Sequence, residues 1–149
     1  MNIKAMITAG GVLLGVIYPF EIFAQSDESS RIMRDAAEGR EYDPEAFRQA
    51  VEDTACNLTA SNAESFMSSR QSGVPLNEVL ETVSAQRQRQ EYTQFQREVV
   101  LQAFEIPRFN TPSMQQNAIM DFRNEWDVYC RRNLDEIAII ITGSPIPTQ

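Results

Sequence analysis

The chain contains no histidine. That absence removes Ser-His-Asp and Cys-His catalysis and every His-ligated zinc site, whatever the fold. Lysine is almost as scarce: Lys4 is the sole one, and it stands in a segment with the character of a cleaved leader, so Schiff-base chemistry has no residue in the remainder. Cations are outnumbered, with 13 Lys+Arg against 21 Asp+Glu and a formal net charge of -8. Affinity for a nucleic-acid backbone comes from neutralising phosphates with cations, so this balance argues against nucleic acid as a partner. Cysteine is limited to Cys56 and Cys130, far apart and without the CxxC spacing that tunes a redox thiolate. No internal repeat and no glycine-rich phosphate loop is present. With 149 residues, 42% hydrophobic and 23% charged, the composition fits one globular domain and excludes collagen-like, disordered and polytopic membrane chains.

What is present begins with an export signal. Met1-Asn2-Ile3-Lys4 is a short basic start, Ala5 to Phe20 is uncharged with an apolar centre at Val12-Leu13-Leu14, and Ile22-Phe23-Ala24 precedes the polar Gln25-Ser26-Asp27. This is the order of a secretory signal peptide cut after Ala24. The alternative is an uncleaved anchor, which would be the chain's only membrane attachment. The run is shorter than the ~20 apolar residues of a spanning helix and is interrupted by three glycines and Pro19. The expected location is periplasmic or secreted.

The expected fold class is all-α, a small four-helix domain closed by one disulfide with an extended C-terminal tail. The expected organisation is a signal over 1–24, a flexible acidic leader over 25–42, a helical domain over 43–132 and the tail over 133–149. The leader offers little apolar surface beyond one short helical turn around Ile32 and Met33. Asp43-Pro44-Glu45 reads as an N-cap, a proline at the first helical position and an early acid. In the helix that follows, Phe47, Val51, Ala55 and Leu58 begin an apolar stripe, Cys56, Ala60, Ala63 and Met67 continue one, and Gly73 ends the helix. Pro75 and Asn77 open a second, shorter helix with Val79, Leu80 and Val83. Gln86 to Gln90 is a solvated face or a connector. A third helix aligns Tyr92, Phe95, Val99 and Ala103 and stops before Pro107. A fourth opens at Thr111-Pro112 and aligns Ile119, Phe122, Trp126, Tyr129 and Cys130.

Two cysteines in an exported chain suggest a structural Cys56–Cys130 disulfide, because the periplasm is oxidising. The chain-entropy model assigns it roughly 4 to 5 kcal/mol. Cys56, Ala60, Ala63, Met67, Arg70-Gln71, Gly73-Val74-Pro75, Ala103, Pro107-Arg108, Ala118-Ile119, Phe122, Trp126 and Cys130 resemble a group of small exported two-cysteine helical proteins of bacteria and their phages. That group has no assigned activity, so the resemblance implies the disulfide and the helical fold and supplies no catalytic residue.

Without histidine or lysine, catalysis would need paired carboxylates, a carboxylate-activated hydroxyl or an oxygen-ligated metal. Glu78 with Glu81 and Asp121 with Glu125 have helical spacings, which a solvated acidic face explains equally well. Arg70-Gln71 before Gly73 is a candidate recognition corner or simple dipole capping. Asn57-Leu58-Thr59 matches a glycosylation sequon in mid-helix, without consequence in a bacterial chain. No catalytic residue, metal ligand or cofactor is assigned.

After Arg132 the composition changes to a β-branched run, Ile137-Ala138-Ile139-Ile140-Ile141-Thr142, ended by Gly143 and Pro145. It either packs across the helices or remains extended for strand pairing. Asp135-Glu136-Ile137 with Ile140-Ile141-Thr142-Gly143-Ser144 resembles the energy-coupling box of outer-membrane TonB-dependent receptors, here at the other end of the chain and with Ala138 and Ile139 inserted. That resemblance implies a periplasmic energy transducer as partner and Ile137, Ile139, Ile140, Ile141 and Thr142 as candidate partner-binding residues. The expected function is non-enzymatic binding of a periplasmic or envelope protein. The alternatives are transducer binding through the tail and acid-stress chaperoning, in which protonated carboxylates swing the charge toward about +12 and expose the Phe122-Trp126 face.

Overall fold

Asp43, Pro44 and Glu45 start the longest helix as their chemistry dictates. In the computed structural model, which describes residues 27–146, the Asp43 carboxylate accepts the Glu45 backbone N–H at 3.0 Å. Pro44 takes the first helical position, where its missing N–H would have had no helical partner. At the far end Gly73 adopts φ 85°, its N–H bonds to Arg70 O, and the Val74 N–H reaches Ser69 O. Those two bonds satisfy carbonyls that the last turn leaves open, and a side chain at Gly73 would carry left-handed strain. A second proline start follows at Thr111-Pro112, where Thr111 Oγ1 accepts the Met114 N–H at 3.4 Å.

Six helices result: α1 Asp27–Ala37, α2 Pro44–Ser72, α3 Leu76–Ala85, α4 Gln90–Glu105, α5 Pro112–Arg132 and α6 Leu134–Thr142. No strand occurs among the described residues. The signal expected over 1–24 lies outside them. α2 is the axis of the fold, with α1, α4, α5 and α6 packed along it and α3 set mainly against α4. A helix covered from several sides buries more than one face. Val51, Ala55, Cys56, Ala60, Ala63 and Met67 are all buried.

α5 lies antiparallel to α2. Cys130 bonds to Cys56 with a Cα separation of 5.4 Å, and both residues are fully buried. Arg131 reaches Glu52 at 2.8 Å beside the bridge, and Arg123 reaches Glu64 at 3.1 Å two turns along. Such exposed pairs contribute at most about 1 kcal/mol each and mainly fix register. The core between the helices is aromatic: Trp126 meets Phe95 edge-on at 5.6 Å and Phe122 at 6.2 Å.

The tail departs from the expected extended form. Residues Leu134–Thr142 are helical, with Leu134, Ile137 and Ala138 buried and Gly143 capping the end at φ 83°. The β-branched penalty in a helix is a few tenths of a kcal/mol per residue, whereas burying a Leu or Ile side chain gains about 1.5–3 kcal/mol. Burial wins, and the helix also satisfies its own backbone groups. Asp135 and Glu136 suit the positive end of the dipole, and Asp135 meets Arg48 of α2 at 3.0 Å. Residues 27–37 of the expected flexible leader are likewise helical and packed on α2, with Ile32 and Met33 half-buried. Among the described residues the helix count is therefore six where four principal helices were expected.

Replacing both cysteines by alanine is expected to lower unfolding free energy by about 4 kcal/mol in chemical denaturation, the chain-entropy value for this loop. Ile137→Ala should cost about 3 kcal/mol by the same measurement, and an unchanged midpoint would mean that α6 does not belong to the core.

Candidate functional site

α4 and α5 both lie along α2 with their backbones apart, and Phe95 of α4 meets Trp126 of α5 across the gap. A groove is left between them. At one end α6 touches both helices and closes it. The cleft there has a volume of about 380 Å³ and is lined by Glu91, Phe95, Glu98 and Gln102 of α4, Glu125, Trp126 and Tyr129 of α5, and Glu136, Ile137 and Ile140 of α6. Within each helix these residues recur at spacings of three and four, so each wall is one continuous helical stripe. The apolar members form the base: Phe95, Trp126 and Ile137 are buried, while Tyr129 is 42% exposed with its ring 5.2 Å from that of Trp126.

The carboxylates form the rim. Glu91 sits in the first turn of α4, where a hydrogen bond from its own backbone N–H and the nearby Arg89 guanidinium hold its carboxyl below the usual range. Glu98, Glu125 and Glu136 are exposed and have no hydrogen-bond or ion-pair partner among the described residues. No arginine lines this cleft. Three arginines instead face acids elsewhere: Arg48 with Asp135, Arg123 with Glu64, and Arg131 with Glu52 and Asp127.

The groove continues toward the α4–α5 connection as a second cleft of about 330 Å³, lined by Ile106, Phe109, Met114, Ala118 and Phe122 with Asn117, Asp121 and Glu125. Glu125 belongs to both clefts. The connection itself is pinned from below by the last turn of α2. Buried Gln71 donates to Pro107 O at 3.1 Å and accepts the Phe109 N–H at 2.9 Å, while Arg70 Nε donates to Ile106 O at 3.0 Å. Arg108 Nε returns a bond to Gln71 O at 3.0 Å, and its guanidinium lies against Gly73, where a Cβ would come within 2.7 Å of it. The corner at Arg70-Gln71 thus serves the fold by fixing one end of the groove.

The other residues singled out by the sequence are placed as follows. Of the tail residues, Ile137 and Ile140 line the cleft, presented by a helix; Ile139, Ile141 and Thr142 do not. Thr142 Oγ1 donates to Ala138 O at 2.8 Å. Asp121 and Glu125 belong to the second cleft, whereas Glu78 and Glu81 are exposed on α3 away from both. Cys56 and Cys130 form the bridge. Glu91, Glu98 and Glu136 were not marked by the sequence, because their meeting depends on how three helices pack. Among the described residues no cluster of three metal-ligating side chains occurs, and no helix is long and apolar enough to cross a membrane. No family model, curated protein or solved structure matches the chain.

Behind the cleft, Tyr92 of α4 is buried against α2, its hydroxyl accepting from Asn62 Nδ2 at 2.8 Å. Burial pushes its phenol up, and the hydrogen bonds from Asn62 and Gln96 offset part of that shift. A folded-state value above the unfolded one favours the neutral, folded form. The contribution is complete below about pH 10 and is lost as pH rises through the folded value. Thermal melts are expected to fall above pH 10 more steeply for the parent than for Tyr92→Phe, and parallel curves would exclude Tyr92 as the cause.

Proposed function

We propose that the protein is an exported, non-enzymatic helical module that acts by binding a periplasmic or envelope protein through the groove between α4 and α5. The observation that carries this reading is the groove itself, a pair of adjoining clefts with an apolar base. Met114 and Tyr129 leave large apolar surface in its walls, and Leu101 is exposed on α4. Exposed apolar surface rimmed by polar residues is the usual mark of an interaction site. A groove bounded by two helices suits an amphipathic segment that lays one face along it. The export half of the reading rests on the basic, apolar and small-residue order of residues 1–24.

Transducer binding by strand addition loses its geometric basis, because the residues that would pair are helical and Ile137 is buried. The tail enters the present reading as the end wall of the groove.

Photo-crosslinking amino acids placed at Gln102 and Met114, one per cleft, are expected to trap one and the same envelope protein. A crosslinker at Glu81 on α3 should not trap it. Ala118→Trp, which fills the second cleft, should abolish both adducts. Trapping at Glu81 to the same extent, or adducts that persist in the filled variant, would overturn the groove as the binding surface.

A further inference from the structure

The α6 end of the groove differs chemically from the rest. Four carboxylates, those of Glu91, Glu98, Glu125 and Glu136, converge on it from three helices without an arginine among the lining residues. Only Glu91 has a cation at hand, Arg89 at 3.5 Å. Gathering like charges is unfavourable unless an opposite charge joins them. Between the carboxylates lie Phe95, Trp126 and Tyr129, whose ring faces attract a guanidinium or an ammonium. The cleft volume of about 380 Å³ accommodates a long side chain and the backbone that carries it.

A second feature points to a peptide over a simple amine. Through Glu125 the acidic end runs on into the second cleft, lined by Ile106, Phe109, Met114, Ala118 and Phe122. A simple amine would leave that apolar surface uncovered. A peptide segment carries apolar and cationic side chains on one backbone and matches both clefts.

We propose that this end of the groove is a cation site, and that its occupant is a basic amphipathic segment whose Arg or Lys side chains enter between Glu98, Glu125 and Glu136. The inference rests on the groove being the binding surface and adds the chemistry of what it binds. The apolar face of the segment covers Phe122, Met114 and Ile106 in the second cleft, and its basic end meets the acidic one.

The test uses the disulfide-intact chain and two synthetic 18-residue amphipathic helical peptides, one of leucine and arginine and one with glutamate in place of arginine. Trp126 is the only tryptophan, so its emission reports occupancy directly, with calorimetry as a second readout. The arginine peptide is expected to bind and the glutamate peptide not to bind. The triple variant E98Q/E125Q/E136Q should weaken binding about tenfold at low salt, as expected for three partly exposed pairs. The variant E41Q/E78Q/E81Q carries the same charge change away from the groove and should stay within about twofold. Equal losses in the two variants would reduce the effect to net charge and overturn the proposal, as would binding of the glutamate peptide. The trapped partner separates the two readings. A segment crosslinked at Gln102 that lacks Arg and Lys overturns the cation site and leaves the groove as the binding surface. Absence of any groove adduct, with the peptide result intact, overturns the proposed function and keeps the cation site.

Discussion

The antiparallel contact between α2 and α5, locked by the buried Cys56–Cys130 bridge, is the constraint on which the remaining architecture depends. It holds the Trp126 ring against Phe95 and Phe122, and that aromatic contact sets how far α4 stands from α5. Both helices follow α2, and their backbones stay apart beyond that ring contact. A small domain with a limited apolar core gains much from a cross-link of this span, since the net stability of such folds is only 5–15 kcal/mol in all.

The groove follows from the same constraint together with the way its two ends are fixed. At one end Gln71 and Arg70 take the carbonyls and the N–H of a connection more than thirty residues away in sequence, so the ends of α4 and α5 are held by α2. At the other end α6 spans the gap. An opening bounded in this way is rigid at its margins without being filled, the arrangement expected of a preformed binding surface.

Local signals were legible in the sequence and tertiary ones were not. Asp43-Pro44, Gly73 and Thr111-Pro112 act within a single turn of helix, and each bounds a helix where its chemistry predicts. The apolar stripe of α2 was visible, as was the pairing of two cysteines on apolar faces. The tail was misread because Ile139, Ile140 and Ile141 favour a strand by local preference alone. Its helix exists because Leu134 and Ile137 find a place in the core, and no property of the segment itself announces that. The leader was misread for the same reason, since Ile32 and Met33 suffice once α2 provides the opposing surface. The acidic rim was hidden in a different way: Glu91, Glu98, Glu125 and Glu136 look like ordinary solvated positions until three helices bring them to one cleft.

The disulfide closes a covalent ring from Cys56 to Cys130 that contains α3, α4 and nearly all of α5. α6 begins just beyond the knot and hangs outside it. Two walls of the acidic cleft therefore belong to a topologically closed body, and the third belongs to a helix outside the ring, held by packing of Leu134, Ile137 and, after it, Ile146. Local opening follows cooperative units rather than the whole fold, and a helix outside a closed ring can unfasten while the ring stays intact. The cleft is thus built from parts of unequal permanence: its floor is as durable as the molecule, and its end wall only as durable as the seat of Leu134, Ile137 and Ile146 in the core.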